Sequence, residues 1–339
     1  MHSDSVATVW DALRATRWSP PGSASSDQAR RGTYVSALEQ AEQLFRAAAG
    51  VGTAARPLLA FYGLSQAGRA ISAASSLLEW ELKGHGVKTI DLAADLPSVR
   101  IKSDPASSAG SFARLSTLLD SPLWGNSPIA LNELWDLLPE NDCVPLLDRG
   151  QNRRTPLWIG TDSLWIESHP LAVVPVVGFP AWLVDGKTEK STLDDYLAAY
   201  PGARDYHSFR NLQGNPNLPA FTAHKDGRGE LQMNWLVRGG ESVDRVESWE
   251  WLTSKSRLCL GTWYFFPAIG QNPLGLHPLM AWWAILHALS MLARYQPGEW
   301  ASHIDVNRSS YAMSVERLLR RAVDVVPRLV LETLHQFAL

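Results

Sequence analysis

The sequence is poor in cysteine. Its 339 residues include two, Cys143 and Cys259, far apart and with no CxxC partner, which excludes a disulfide framework and a cysteine-ligated zinc. Charge of either sign is not in excess: the formal net charge of -3 gives no bulk attraction to nucleic acid or to an anionic membrane, so any such binding must come from a local patch. A long apolar span is also missing. The longest run, Leu279 to Ala293, falls short of the roughly 20 residues that cross a bilayer, and His287 and Ser290 interrupt it. The start, MHSDSVATVWDAL, has neither the basic residues nor the apolar core of a signal peptide, so a cytoplasmic protein with no membrane partner is expected. There is no P-loop, no HExxH and no ordered His/Cys cluster, and neither a metal nor a cofactor is expected.

The hydrophobic content of 45% allows an ample core. Its centre is PLMAWWAILHALSMLARYQPGEW, Pro278 to Trp300. Leu279, Trp282, Trp283, Leu286, Leu289 and Ala293 recur at helical steps with apolar residues between them, which predicts a helix covered on most sides. Pro297 and Gly298 end it. Three other helices are expected near the N-terminus. Val6, Val9, Trp10 and Leu13 mark the first; Leu38, Ala41, Leu44, Phe45 and Ala48 mark the second. The third opens on Pro57 and is expected to run to Gly84. Val315, Leu318, Leu319, Ala322, Val326, Leu329 and Val330 predict an amphipathic closing helix from Tyr311 to Leu334, with a kink at Pro327.

Between Gly84 and about Gly270 the sequence turns to Pro, Gly, Trp and short alternating runs, which predicts an antiparallel β-rich insertion. Val99–Lys102 and Phe112–Leu115 are expected as strands and Leu131–Leu138 as a short helix. Leu157–Ile159 with Leu164–Glu167, and Ala220–His224 with Leu231–Val237, are expected as hairpins. Thr192–Tyr200 should make helical turns. Leu258–Phe266, LCLGTWYFF, reads as one strand. The 15 tryptophans are expected mainly in the core.

Two sequence features imitate catalytic motifs and fail on context. Gly50-Val51-Gly52 follows a helix rather than a strand, so it is no dinucleotide loop. Gly63-Leu64-Ser65-Gln66-Ala67-Gly68 is one residue too long for a nucleophile elbow and lies mid-helix. What remains is a constellation. Tyr62, Gln66 and Arg69 share one face of the third helix; His287 and Arg294, seven residues apart, fall near one face of the central helix, with Glu299 and His303 just beyond. His85, flanked by Gly84 and Gly86, is the remaining candidate. Arginines buried in a bundle need partners. Glu299 or Glu79 would supply one in a structural pair, whereas two arginines converging on a phosphate or other anion, with His287 or His303 as acid and base, would make a site.

ARPLLAFYGLSQAGRAI at Ala55–Ile71, the Gly84-His85-Gly86 triplet and LSMLARYQPGEW at Leu289–Trp300 resemble the YaaC-like proteins of bacteria over nearly the whole chain. That family implies no settled activity. A more distant resemblance is to HEPN domains, helical bundles of toxin, RNA-processing and phage-defence proteins, carried by Phe61, Tyr62 and Arg69. Catalytic HEPN members have an arginine followed by four to six residues and a histidine; here eight residues separate Arg294 from His303.

The expectation is therefore an α+β protein. Residues 1–84 and 271–339 would form an antiparallel, HEPN-like helical bundle, with residues 85–270 as a β-rich insertion. The function expected first is non-catalytic: a HEPN-like or YaaC-like scaffold or ligand sensor. The resemblances imply protein partners in a bacterial defence system and RNA or a nucleotide as ligand. A homodimer is expected from apolar outer bundle faces. The alternatives are a metal-independent ribonuclease using Arg294 with His303 or His287, and a small-anion or nucleotide binder built on Arg69 and Arg294, with Tyr62, Gln66, His85 and Glu299 around it.

Overall fold

The structure is a computed structural model, described here for residues 6–160, 171–184, 188–224, 226–237, 244–269 and 275–337. Its fold is α+β, and it divides into two compact units: residues 1–148 with 277–339, and residues 149–276. Residues 85–148, expected in the insertion, thus pack with the helices of the first unit.

In the first unit, α1 (Val6–Trp18) buries Val9, Trp10 and Leu13. α2 (Gln28–Gly50) starts on Asp27, whose carboxylate accepts from the N–H groups of Ala29 and Arg30 at 2.8 and 3.1 Å, satisfying two donors that a helix start leaves open. α3 (Arg56–Ala74) has Pro57 in its first turn. It stops well before Gly84. The cause is remote: buried Arg30 of α2 donates to the carbonyls of Ser75 at 2.7 Å, Ala73 at 3.4 Å and Leu77, and the Ser75 hydroxyl turns back to Ser72 O at 2.7 Å. Ser72 and Ala73 belong to the last turn of α3 and Ser75 and Leu77 to the chain just past it, so these bonds fix where the chain leaves the helix. Beyond it, β1 (Val87–Ile90), β2 (Arg100–Ser103) and β3 (Ile129–Ala130) form an antiparallel sheet in that order, with α4 (Ser111–Leu118) before β3 and α5 (Leu131–Trp135) after it. Phe112–Leu115, expected as a strand, lies in α4; Phe112, Ala113, Leu115 and Ser116 are its buried side. A four-residue apolar window does not separate the two periods.

The second unit contains β4 (Leu157–Ile159), β5 (Leu171–Phe179), α6 (Ala181–Val184), α7 (Lys190–Leu197), β6 (Ser208–Phe209), β7 (Asn211–Leu212), β8 (Asn215–Pro219), β9 (Thr222–Ala223), β10 (Gly229–Leu236), α8 (Arg245–Thr253), β11 (Arg257–Cys259) and β12 (Thr262–Phe265). β11-β12-β4-β5-β10-β6 make one antiparallel sheet, with β9 also on β10, and β7 pairs with β8. One face carries Leu157, Ile159, Val174, Val176, Leu231, Met233, Trp235 and Phe265 into a core shared with Leu183, Leu193, Tyr196 and Leu252 of the helices. A β9–β10 hairpin forms, but it pairs Thr222 and Ala223 with Glu230 and Gly229, whereas Leu231–Leu236, expected as its second arm, pairs with β5; Lys225 of the turn lies outside the described residues. So does Leu164–Glu167, the expected partner of β4. LCLGTWYFF is not one strand but a hairpin. Leu260 and Gly261, at φ 52° and 77°, sit between the paired Cys259 and Thr262, and two left-handed residues make the turn whose twist suits a two-residue loop.

The chain then returns to the first unit as α9 (Pro278–Tyr295), α10 (Pro297–Ile304) and α11 (Ala312–His335). α9 packs on α3, α4, α5, β1, α10 and α11. Every residue from Pro278 to Ser290 is buried, as the all-round apolar pattern requires. Gly68 lets α3 approach it closely: a Cβ there would lie 2.6 Å from the Trp283 ring and 2.8 Å from Leu115. Pro327 is accommodated inside α11. Among the described residues, no helix is long and apolar enough to cross a membrane.

Candidate functional site

The α3–α9 contact shapes a polar surface over an aromatic support. α3 turns Phe61 fully inward and leaves the next residue, Tyr62, 38% exposed. The Phe61 ring meets His287 of α9 edge-on at 5.2 Å, Trp283 at 6.2 Å and His85 at 5.6 Å between centroids. His287 is 2% exposed, and its Nδ1 lies 3.1 Å from the Thr89 hydroxyl of β1. Burial, and then the neighbouring His85, lower its pKa to about 3. His287 is therefore a neutral ring beneath the surface.

His85 is the imidazole that faces solvent. Its loop is held from behind by the start of α4: Phe112 N–H donates to His85 O at 2.9 Å, and the Ser111 hydroxyl donates to Gly84 O at 2.7 Å. Gly84 and Gly86 have φ of 66° and 71°, and a Cβ on Gly86 would lie 2.9 Å from the Gly110 backbone. Glycine is needed there for both reasons. Partial burial lowers the His85 pKa first, followed by the positive fields of Arg69 and Arg294.

Those two arginines complete the surface. Arg294 donates to the Tyr62 hydroxyl at 3.2 Å and lies 5.0 Å from the Tyr295 ring centre, with Tyr295 itself 55% exposed. Arg69 donates to the carbonyl and hydroxyl of Ser65 at 3.2 and 3.1 Å. Neither arginine pairs with a carboxylate among the described residues. The expectation that both are buried is corrected: Arg294 is exposed and Arg69 half-buried, because each leaves its helix on the outer side of the α3–α9 seam. Glu79 does bind an arginine, but it is Arg114. Gln66 is half-buried on the same α3 face.

Glu299 and His303 belong to a different neighbourhood. Glu299 is exposed in the first turn of α10. His303 has a lowered pKa from burial, opposed by Asp95 and Glu299; its Nε2 is buried without a hydrogen-bond partner. Asp95 in turn accepts from the Tyr311 hydroxyl at 2.7 Å. The field of Arg294 falls on His85 instead. Sequence reasoning also missed Tyr295 and Thr89; Tyr295 could have been found, since it directly follows Arg294. Among the described residues, no group of three or more His, Cys, Asp or Glu is placed to hold a metal ion.

The profile of the YaaC-like protein family matches residues 7–334. The chain belongs to the YaaC-like family. No curated protein and no solved structure matches it. The family match spans both units and every residue of the α3–α9 surface.

Proposed function

We propose that this YaaC-like protein is a ligand sensor that binds a phosphate-bearing anion, a nucleotide first of all, through Arg69 and Arg294. One observation carries the reading: Arg69 and Tyr62, the residue that Arg294 bonds, stand on α3 beside the Phe61 ring that meets the solvent-facing His85, and neither guanidinium has a carboxylate partner among the described residues. The planar guanidinium fork matches phosphate oxygens. The exposed rings of Tyr62 and Tyr295 add planar surface beside the charges, as a base would use. The HEPN-like description of the bundle, a role in bacterial defence and a homodimer belong to the same proposal. Phe61, Tyr62 and Arg69 on α3 support the first.

Thermal-shift measurements with nucleoside mono-, di- and triphosphates and pyrophosphate test it. The reading expects a concentration-dependent rise in Tm that disappears in Arg69→Gln/Arg294→Gln. No rise with any of these ligands would contradict it.

A second reading, metal-independent RNA cleavage, is favoured by the accessibility of His85. It replaces His303 or His287 as the acid/base partner of Arg294, because a general base must reach the substrate hydroxyl. Incubation with labelled total RNA in EDTA tests this. Cleavage by the wild type and not by His85→Ala or Arg294→Ala would support it, and intact RNA would count against it.

A further inference from the structure

The sheet of the second unit has an outer face that the first proposal does not use. Residues of one parity along its strands point there. Glu230 and Gln232 of β10 stand opposite Val177 and Pro175 of β5, and Asn234 stands opposite Val173. On the other side of β10, Glu230 is paired with Thr222 of β9, and Arg210 N–H donates to Gln232 O at 2.9 Å. Ala220 N–H in turn donates to Arg210 O at 2.8 Å, which folds that segment up beside the face. The result is a cavity of about 250 Å³ lined by Val173, Pro175, Arg210, Ala220, Thr222, Glu230 and Gln232.

The two charges in this cavity are its informative feature. Arg210 faces Gln232 and is therefore the diagonal neighbour of Glu230, a relation that spans roughly 7–8 Å and lies within reach of long side chains. The two nevertheless do not pair, and Arg210 makes no ion pair among the described residues. Among the described residues the Glu230 carboxylate has one contact of this kind, to His224 Nε2 at 3.5 Å, longer than an ordinary hydrogen bond. A guanidinium and a carboxylate thus line one small cavity without an ion pair between them. Val173, Pro175 and Ala220 make up the apolar part of the lining.

We propose that this cavity binds a free α-amino acid. Its carboxylate would meet Arg210, its ammonium group Glu230, and its side chain the apolar lining residues Val173, Pro175 and Ala220, with Thr222 and Gln232 offering further hydrogen bonds. The volume supports a small ligand, since pockets for drug-sized molecules begin at about 300 Å³. Opposite charges on one compact molecule satisfy both cavity charges at once, which a simple anion or cation does not. This site does not rest on the Arg69–Arg294 reading.

Isothermal titration of each proteinogenic L-amino acid into the full chain tests the proposal. Saturable binding of at least one is expected. Its methyl ester, which lacks the carboxylate charge, and its N-acetyl derivative, which lacks the ammonium, should each bind at least about tenfold more weakly. Arg210→Ala and Glu230→Gln should weaken the parent ligand to a similar degree while circular dichroism and Tm stay at wild-type values. Arg69→Gln/Arg294→Gln should bind it like the wild type. The proposal is overturned if no amino acid gives saturable heat up to about 10 mM, if a derivative lacking one charge binds as well as its parent, or if both cavity variants retain full affinity.

Discussion

The imidazole of His287 lies 5.7 Å, centroid to centroid, from that of His85, one ring sealed beneath the α3–α9 seam and the other open to solvent above it. The buried ring has its pKa lowered to about 3 by burial first and by His85 second. An unfolded chain returns this group to its ordinary value near 6.5, so between about pH 6.5 and pH 3 the unfolded state binds the extra proton. Stability contributed by neutral His287 is fully present above that window and declines as pH falls through it, by up to about 1.4 kcal/mol per pH unit. Urea unfolding at a series of pH values should show this slope. His287→Phe should flatten it, and an unchanged slope in that variant would assign the acid sensitivity elsewhere.

Gly68 is a packing position. A methyl group there would lie 2.6 Å from the Trp283 ring and 2.8 Å from Leu115 Cδ1, both in a filled core. Gly68→Ala gains helix propensity, worth about 0.8–1 kcal/mol, but overpacking costs about 1–3 kcal/mol. The net effect in chemical denaturation should be destabilising, and larger for Gly68→Val. A more stable Gly68→Ala protein would show that α9 has room to move.

The buried guanidinium of Arg30 ends α3 by taking the carbonyls of Ala73, Ser75 and Leu77. Arg30→Met keeps much of the apolar stem and leaves those acceptors without their donor, each at a cost of about 1–3 kcal/mol where no water reaches it. A loss of several kcal/mol in unfolding free energy is expected. Hydrogen exchange should rise first at the C-terminal turn of α3.

Arg294 behaves oppositely. It is exposed and, among the described residues, makes one side-chain hydrogen bond, to Tyr62, so Arg294→Ala should change stability by no more than about 0.5 kcal/mol. Its effect should appear in anion binding, and the affinity that remains in the wild type should fall with added salt, because the charges are at the surface. A variant that unfolds would contradict the surface assignment.

Local pattern and remote contact account for what the sequence revealed. α9 was legible because almost every position from Pro278 to Ser290 is apolar, which one helix buried all round explains. Tyr62 and Arg69 were placed on one face by helical spacing alone. The end of α3 was not legible, since its cause is Arg30, 43 residues or more away from the carbonyls it binds. The LCLGTWYFF hairpin was hidden because apolar residues continue through Leu260, leaving Gly261 as the only turn signal. His85 was a candidate, but its place beside Arg69 and Arg294 depends on α4 docking against its loop. His303 was expected with Arg294 from proximity in sequence; Pro297 begins a new helix between them, and its surroundings are Asp95 and Glu299.

The most direct test of the Arg69–Arg294 site is an NMR titration of the His85 imidazole with and without pyrophosphate. In the free protein, partial burial and the two arginines hold its pKa below the ordinary value. An anion bound between the guanidiniums favours the imidazolium, so pyrophosphate should move the His85 pKa upward, and Arg69→Gln/Arg294→Gln should abolish that movement. A His85 titration unchanged by saturating pyrophosphate would contradict the site.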